Sequence, residues 1–342
     1  MTVRVGINGF GRIGRNFLRA AHSQGVDLQV VGLNDLGDAR TNAHLLRYDT
    51  THGRFGADVE VQGDELIVAG HPIKVLSERD PKALPWAELR ATVVLESTGI
   101  FTTGESAGAH IEAGAERVVI SAPATGVDAT FVMGVNDDTF DPERHRVVSN
   151  ASCTTNCFVP MVKIIDDAFG IRGGLMTTVH AYTNDQNLLD LTHRDLRRAR
   201  AAAMNIIPAS TGAARATGQV LEAMQGRLDG HALRVPVSDG SITDFTAVVN
   251  GSVSTEDVNR AFLAASESGP LAGVLVYTED PIVSSDIVGS AASCTFDASL
   301  TMVMPIDDSS TLVKAQGWYD NEWGYANRLV DVVLMVGLPS KG

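Results

Sequence analysis

Gly9, Gly11 and Gly14 stand in a GxGxxG spacing, directly after the β-branched run Val3 to Ile7 and directly before the helical pattern Ile13 to Ala21. That placement constrains the fold more than any other feature of the chain. A strand that turns sharply into a helix on glycines lets backbone N–H groups approach a pyrophosphate. The first glycine permits the turn, the second the close approach, and the third the packing of helix against strand. The unpaired N–H groups of the helix N-terminus then hold the anion. Asp35 follows Gly14 by 21 residues, at the end of the next apolar run, Leu28 to Leu33. A carboxylate there accepts from the ribose hydroxyls of NAD and repels the extra phosphate of NADP, so Asp35 points to NAD. The glycine spacing alone also fits an ordinary strand-to-helix turn; strand, helix and acid in register make it a dinucleotide site.

The rest of the first half repeats the theme. Apolar runs at Val93 to Leu95, Val118 to Ile120 and Val147 to Val148 alternate with helical patterns such as Ala107 to Ala113. This alternation predicts an α/β fold, a parallel sheet with helices on its faces. Between Asp58 and Val75, turn signals at Gln62-Gly63-Asp64 and Ala69-Gly70-His71-Pro72 predict inserted antiparallel hairpins. Beyond about residue 150 the pattern changes. Strand-like runs at Gly174 to Thr183, Arg234 to Pro236, Thr243 to Gly251 and Ser299 to Pro305, with a helix over Thr255 to Ser268, predict a mixed α+β second domain. Tyr325, Leu329, Val332, Val333 and Val336 follow at helical spacing, with Gly337 and Pro339 as a stop signal. A length of 342 residues agrees with two domains at roughly 150 residues each.

Charge and cysteine content narrow the functional classes. With 27 Lys and Arg against 41 Asp and Glu, the net charge is -14. An acidic surface repels phosphodiester backbones and anionic lipid heads, so neither nucleic acid nor membrane is an expected partner. No apolar run approaches the roughly 18 residues a membrane span needs. Three cysteines, 153, 157 and 294, and no basic-then-apolar leader predict a reducing, cytoplasmic setting. The four-residue step from Cys153 to Cys157 is not a zinc spacing and no second pair completes it, so no metal is expected. Cys153 opens the helical stretch that continues through Phe158 to Phe169. A helix N-terminus lowers a thiol pKa from about 8.5 toward about 3.5–7.5, which predicts a thiolate nucleophile at Cys153. Cys157, one turn on, reads as a buried inert cysteine.

The run Ser149 to Cys157 resembles the signature of the phosphorylating glyceraldehyde-3-phosphate dehydrogenase family, bacterial type. Gly6 to Arg15, Ser121 to Pro123, His180 to Gln186, Ser210 to Ala214, Leu233 to Pro236 and Trp318 to Tyr325 resemble the same family in the same order. The resemblance implies a Rossmann dinucleotide-binding domain of residues 1–150 completed by a C-terminal segment, 315–342. It implies a catalytic domain of residues 151–314 with a mixed, largely antiparallel sheet. Implied too are a homotetramer, NAD as cofactor, and oxidation of glyceraldehyde 3-phosphate with inorganic phosphate to 1,3-bisphosphoglycerate. Cys153 is then the nucleophile and His180 its base. Arg12 and Ile13 belong to the pyrophosphate, Asp35 to the ribose, Arg79 and Ser121 to the adenine half, and Asn321 to the nicotinamide amide. Thr183 and Arg234 resemble the site for the substrate's phosphate; Ser152, Thr154, Thr211 and Gly212 resemble that for attacking phosphate. Arg198 matches a further phosphate-facing position, whereas Arg194, Arg197 and Arg200 read as a solvated face.

Some positions depart from the family pattern. Thr192 follows Leu191 where many NAD-using members have proline, which bears on the choice between NAD and NADP. Phe158-Val159 and Val237-Ser238-Asp239-Gly240 differ from the usual residues, and we expect them to reshape access to Cys153 and its sensitivity to electrophiles. Two other functions share these motifs. An erythrose-4-phosphate dehydrogenase would resolve the thioester with water, and an idle NAD-binding regulatory protein would lack turnover.

Overall fold

In a computed structural model, which describes residues 2–338, the run after Thr2 forms strand β1 (Val3–Asn8) and the glycine turn leads into helix α1 (Arg12–Gln24). The chain divides into two units. The first holds the described residues up to Phe131, those from Asp138 to Ala151, and those from Ala326 onward. The other strands of its main sheet are β2 (Leu28–Asn34), β3 (Val59–Gln62), β4 (Glu65–Val68), β5 (His71–Leu76), β6 (Val93–Glu96), β7 (Arg117–Ile120), β8 (Ala129–Thr130) and β9 (Val147–Ser149). Among the described residues they form one nine-stranded sheet in the order β8-β9-β7-β6-β1-β2-β5-β4-β3. Pairing is parallel from β8 to β5 and antiparallel through the β3–β4–β5 hairpins. Strands β1 and β6 are buried along nearly their whole length, as the continuous apolar runs of a doubly covered parallel sheet require. The first unit is therefore a Rossmann-type α/β fold.

The second unit holds Val132 to Asp137 and Ser152 to Tyr325. It opens with helix α2 (Cys153–Phe169) and continues through β10 (Ile171–Ala181), β11 (Ile207–Ser210), α3 (Ala213–Val220), β12 (Leu228–Val235), β13 (Ser241–Asn250) and α4 (Thr255–Glu267). Strands β14 (Leu275–Thr278), β15 (Cys294–Asp297), β16 (Met302–Asp307) and β17 (Ser310–Tyr319) complete it. The sheet runs β11-β12-β10-β13-β17-β15-β14, with β16 also paired to β17. Only β10–β12 and β14–β15 pair in parallel. Alternate residues of β13 and β17, among them Phe245, Ala247, Val249, Val313 and Ala315, face a core shared with α2 and α4. Phe158 packs edge-on against Phe245 at 4.9 Å, and Phe262 stacks on Phe296 at 3.7 Å.

Several expected boundaries move. Residue 315 lies inside β17, a ten-residue strand that the sequence reading passed over, so the second unit continues to Tyr325. A boundary there would cut a ladder that pairs with β13 over all ten of its residues. Helix α5 (Trp323–Gly337) closes the described chain, and its residues from Ala326 on belong to the first unit. Pro339, expected as its stop signal, and the rest of 339–342 lie outside the described residues. The helix expected over Ala107 to Ala113 is two four-residue turns, Gly104–Ala107 and Ala109–Glu112, meeting at Gly108. The strand expected at Arg234 to Pro236 starts six residues earlier, at Leu228. Ser299 lies in a 3-10 turn, so the strand expected from it begins at Met302. No helix among the described residues is long and apolar enough to cross a membrane.

Candidate active site

The nucleotide-turn residues of the first unit gather at the carboxyl ends of its parallel strands, where open α/β sheets bind ligands. Gly9 has φ +93°, a backbone conformation that favours glycine, and a Cβ there would lie 2.7 Å from the backbone of Ser97 and Thr98. A Cβ at Gly14 would lie 2.3 Å from the Gly9 carbonyl oxygen. A Cβ at Gly11 would meet nothing within 4 Å. The turn is therefore closed beneath and open above Gly11, at the first turn of α1, which is where backbone N–H groups would hold a pyrophosphate. Arg12 pairs with Asp49, and Ile13 follows in the same helical turn. Asp35 lies just past β2, its carboxylate accepting from Phe10 N and Gly37 N, both at 2.9 Å. It thus braces the glycine turn as well as standing where a ribose acceptor is expected. Arg79 is exposed just beyond β5, and Ser121 follows β7 with its N–H donating to the Glu96 carbonyl at 2.9 Å. This arrangement fits NAD.

In the second unit Ser152 caps α2, its hydroxyl accepting from Thr155 N at 3.0 Å. The cap starts the helix at Cys153, and its hydroxyl is engaged there. Cys153 Sγ lies 3.5 Å from His180 Nε2. His180 ends β10, where it is 4% exposed. Its Nδ1 lies 2.7 Å from the Ala181 carbonyl, which can only accept, and 2.9 Å from Arg234 Nη1, which can only donate; with the proton on Nδ1, given to that carbonyl, Nε2 presents its lone pair to the thiol. Strand register supplies the next member: His180 stands opposite Arg234 on parallel β12. Arg234 Nη1 donates to the same Ala181 carbonyl at 3.0 Å and to Thr183 Oγ1 at 3.5 Å. None of these partners is a carboxylate, and Arg234 Nε is buried without an acceptor. The site therefore presents an uncompensated guanidinium beside a thiol–imidazole pair.

These surroundings correct the expected thiolate. Burial pushes the Cys153 thiol up to about 11, outweighing the opposing pull of Arg234 and of hydrogen bonds with Thr154. Burial, followed by the Arg234 charge, takes His180 down to about 3. Burial thus favours the neutral form of each group. The helix N-terminus acts as foreseen, but removal from water acts more strongly.

The expected phosphate-site residues divide. Thr183 and Arg234 stand together. Thr211 and Gly212 head helix α3, with Thr211 Oγ1 accepting from Ala213 N at 3.2 Å. Arg198 reaches the carbonyl of neighbouring Ser210 at 3.1 Å, held by Asp185 and by Asp195 at 3.5 Å. The Thr154 hydroxyl, expected to face attacking phosphate, turns inward instead and meets Tyr319 Oη at 2.9 Å. Tyr319 Oη also meets Thr178 Oγ1 at 2.8 Å, so one buried phenol ties the start of α2 to β10. Tyr319 is thus a polar strut as well as a packed ring, which only the register of β17 discloses.

Asn321 is 5% exposed and its Oδ1 accepts from Ser241 Oγ at 2.7 Å, while Ser241 Oγ accepts from Ala181 N at 3.1 Å. Neither Ser241 nor Tyr319 carries a sequence signal of its own. Nearby, burial and the carboxylates of Asp320 and Glu322 push Asp239 up to about 9. Phe158 is wholly buried against Phe245 and has no surface to offer a path to Cys153, which corrects its expected part in access.

Residues 3–104 match the glyceraldehyde 3-phosphate dehydrogenase NAD binding domain, and residues 152–321 match the C-terminal domain of the same family. The chain is 59% identical over 337 residues to glyceraldehyde-3-phosphate dehydrogenase 2 of Streptomyces avermitilis, covering 98% of this chain and 99% of that protein. The same identity and coverage hold for glyceraldehyde-3-phosphate dehydrogenase of Streptomyces coelicolor. The protein of that name from Mycolicibacterium smegmatis is 56% identical, covering 98% of this chain and 99% of its own.

Proposed function

Since the chain belongs to the glyceraldehyde 3-phosphate dehydrogenase family, we infer that Cys153, His180 and Arg234 carry its reaction. The protein is an NAD-dependent oxidoreductase of glycolysis that oxidises glyceraldehyde 3-phosphate with inorganic phosphate. The observation that carries the site reading is the Sγ–Nε2 separation of 3.5 Å beside a guanidinium with no carboxylate among its hydrogen-bond partners.

Arg234, with Thr183, holds the substrate's phosphate and so sets the aldehyde carbon over Cys153. The thiol proton moves to His180 Nε2 as sulfur bonds to that carbon, and returns to the new alkoxide to give a hemithioacetal. His180 then withdraws the hemithioacetal O–H proton, which pushes electrons toward hydride departure and leaves an acyl thioester on Cys153. NAD, when bound, supplies the hydride acceptor. Its pyrophosphate would be held by Gly9, Gly11, Arg12, Ile13 and Gly14, its ribose by Asp35, and its adenine half by Arg79 and Ser121. Asn321 would orient the carboxamide. Inorganic phosphate, received by Ser152, Thr211, Gly212 and Arg198, attacks the thioester carbon. The carbon–sulfur bond breaks, 1,3-bisphosphoglycerate leaves, and the sulfur regains a proton from His180. Thr154 contributes through its backbone, its hydroxyl being held by Tyr319. We propose in addition a cytoplasmic homotetramer.

The test is NADH formation from glyceraldehyde 3-phosphate, NAD and phosphate, with phosphate omitted in one arm. Phosphate-dependent turnover that disappears in Cys153→Ala supports the reading. Turnover indifferent to phosphate favours erythrose-4-phosphate chemistry, and an active Cys153→Ala protein overturns the assignment.

A further inference from the structure

Beneath the nucleotide turn lies a buried polar chain that the mechanism does not use. Glu96, at the end of β6, is 1% exposed, and His110 is fully buried. Glu96 Oε2 receives Asn8 Nδ2 at 2.6 Å and lies 3.0 Å from His110 Nε2. Glu96 Oε1 receives Thr98 N at 2.8 Å and the Thr98 hydroxyl. At the far end Trp86 Nε1 donates to His110 Nδ1 at 3.0 Å. On the other side Asn34 Nδ2 donates to Asn8 Oδ1 at 2.7 Å and to the Glu78 carbonyl at 2.8 Å, while Glu78 N donates to Asn34 Oδ1 at 2.7 Å.

The directions through His110, Asn34 and Asn8 follow from partners that can play only one role, and the donors of Asn8 and His110, 3.4 Å apart, both point at Glu96 Oε2. An indole nitrogen can only donate, so His110 Nδ1 must accept and its proton sits on Nε2, aimed at Glu96. At Glu78 a backbone N–H and a backbone carbonyl fix which end of the Asn34 amide is which. Asn34 therefore donates to Asn8 Oδ1, and Asn8 Nδ2 must donate to Glu96. Asn8 Nδ2, His110 Nε2, Thr98 N and the Thr98 hydroxyl all converge on the two carboxylate oxygens.

The segments gathered on this carboxylate adjoin residues proposed above to hold NAD. Asn8 immediately precedes the Gly9 turn, Asn34 precedes Asp35, and Glu78 adjoins Arg79, while Thr98 lies in the loop after β6 whose backbone closes on Gly9. We infer that Glu96 is a positioning residue for NAD, the common anchor that holds three cofactor loops in register from below. The inference rests on the reading that these loops hold the dinucleotide. Glu96 touches neither substrate nor the reacting atoms, so its influence falls on cofactor affinity rather than on the chemical step.

Glu96→Gln keeps the shape and turns one acceptor into a donor. With its oxygen kept toward Thr98, its amide N–H2 faces two further donors, and neither His110 nor Asn8 can reverse without breaking its bond to Trp86 or Asn34. We expect the Kd for NAD, measured by titration calorimetry on the full-length protein, and the KM for NAD to rise about tenfold or more. The kcat at saturating NAD and the KM for glyceraldehyde 3-phosphate should stay within about twofold. Thr98→Val removes one donor from the carboxylate, together with the acceptor of the exposed Ile100 N–H, without entering the core, and is the second variant should Glu96→Gln fold poorly. It should shift NAD affinity in the same direction by about threefold, with the melting temperature held. Trp86→Phe added to Glu96→Gln frees His110 to carry its proton on Nδ1, and should restore part of the NAD affinity. Unchanged NAD affinity in the two single variants, or a fall in kcat with KM for NAD intact, overturns the inference. Binding is measured without turnover, so this outcome is distinguishable from a failure of the proposed reaction, which would show as wild-type protein that binds NAD and makes no NADH.

Discussion

The glycine turn makes a prediction in which two neighbouring glycine-to-alanine changes have opposite effects on stability and the same effect on the cofactor. In Gly14→Ala the new methyl would sit 2.3 Å from the Gly9 carbonyl oxygen and 3.2 Å from both Ile7 Cγ2 and Ser97 Oγ. Ordinary contact begins near 3.4 Å, so something must move by about 1 Å. Gly9 cannot yield. Its N–H donates to the Asn34 carbonyl at 2.8 Å, and its own Cα faces the Ser97–Thr98 backbone. The first turn of α1 must therefore lift from the sheet, an overpacking strain worth about 1–3 kcal/mol. A shift of that size also spoils the aim of the helix N–H groups at a pyrophosphate, and a loss of about 1.4 kcal/mol there is tenfold in affinity.

Gly11→Ala is the control. Gly11 has φ -73° and ψ -157°, which alanine tolerates, and its added methyl meets no protein atom within 4 Å. Replacing glycine by alanine at a compatible position stabilises by about 0.4–1 kcal/mol through the unfolded chain. The methyl does, however, project into the space over the turn that a dinucleotide would occupy. Differential scanning calorimetry and NAD titration on both variants should therefore diverge. Gly14→Ala melts lower and binds NAD at least about tenfold more weakly; Gly11→Ala melts at or above wild type and binds NAD weakly all the same. Wild-type affinity in Gly11→Ala would refute the placement of the pyrophosphate. An unchanged melting temperature in Gly14→Ala would refute the steric reasoning.

Three further changes test other parts. Asp35→Asn removes the charge that repels a 2'-phosphate while leaving an acceptor for Phe10 N or Gly37 N, so the ratio of NADP to NAD turnover should rise by about tenfold or more, with NAD affinity also weakened because the carboxylate braces the turn; a constant ratio would contradict it. Asp239, held near 9 by burial and by Asp320 and Glu322, keeps a proton in the folded chain that the unfolded chain has lost above about pH 4, so folding stability falls as pH rises through that window, by at most about 1.4 kcal/mol per pH unit. The melting-temperature advantage of Asp239→Asn should widen from about pH 5 to about pH 8, and a gap independent of pH would count against a protonated Asp239 in the folded chain. Phe158→Leu should lower stability by about 1 kcal/mol through lost contact with Phe245 and leave iodoacetamide inactivation of Cys153 unchanged, as measured by residual activity against time; a faster inactivation would show that Phe158 guards the thiol after all.

What could be read from the chain and what could not divide along a physical line. The nucleotide turn was legible because its parts are neighbours in sequence: a strand, three glycines at fixed offsets and a helix, with Asp35 one strand further on. Helix α2 was legible at its start for the same reason, since Ser152 caps it and Cys153 follows. His180 and Arg234 are different. They lie 54 residues apart, and they meet because β10 and β12 pair in parallel with those two residues opposite each other. A slip of one position would turn Arg234 to the other face of the sheet. Motif resemblance could put both residues in one site, but it carried no information on how close they lie. Burial overrides the helix-terminus effect that sequence alone suggested for Cys153, although Arg234 pulls the thiol the other way, and burial followed by the same guanidinium lowers His180. Local spacing thus placed Cys153 at the head of a helix, whereas the groups that face it are set by the register. The same holds for the anions. A chain of net charge -14 has no long-range field with which to attract phosphate, so recognition depends on placing one guanidinium where no carboxylate is bonded to it. Pairing β12 against β10 does this for Arg234; Arg198, on an irregular segment with Asp185 and Asp195 within reach, must exchange those partners before it can serve a phosphate.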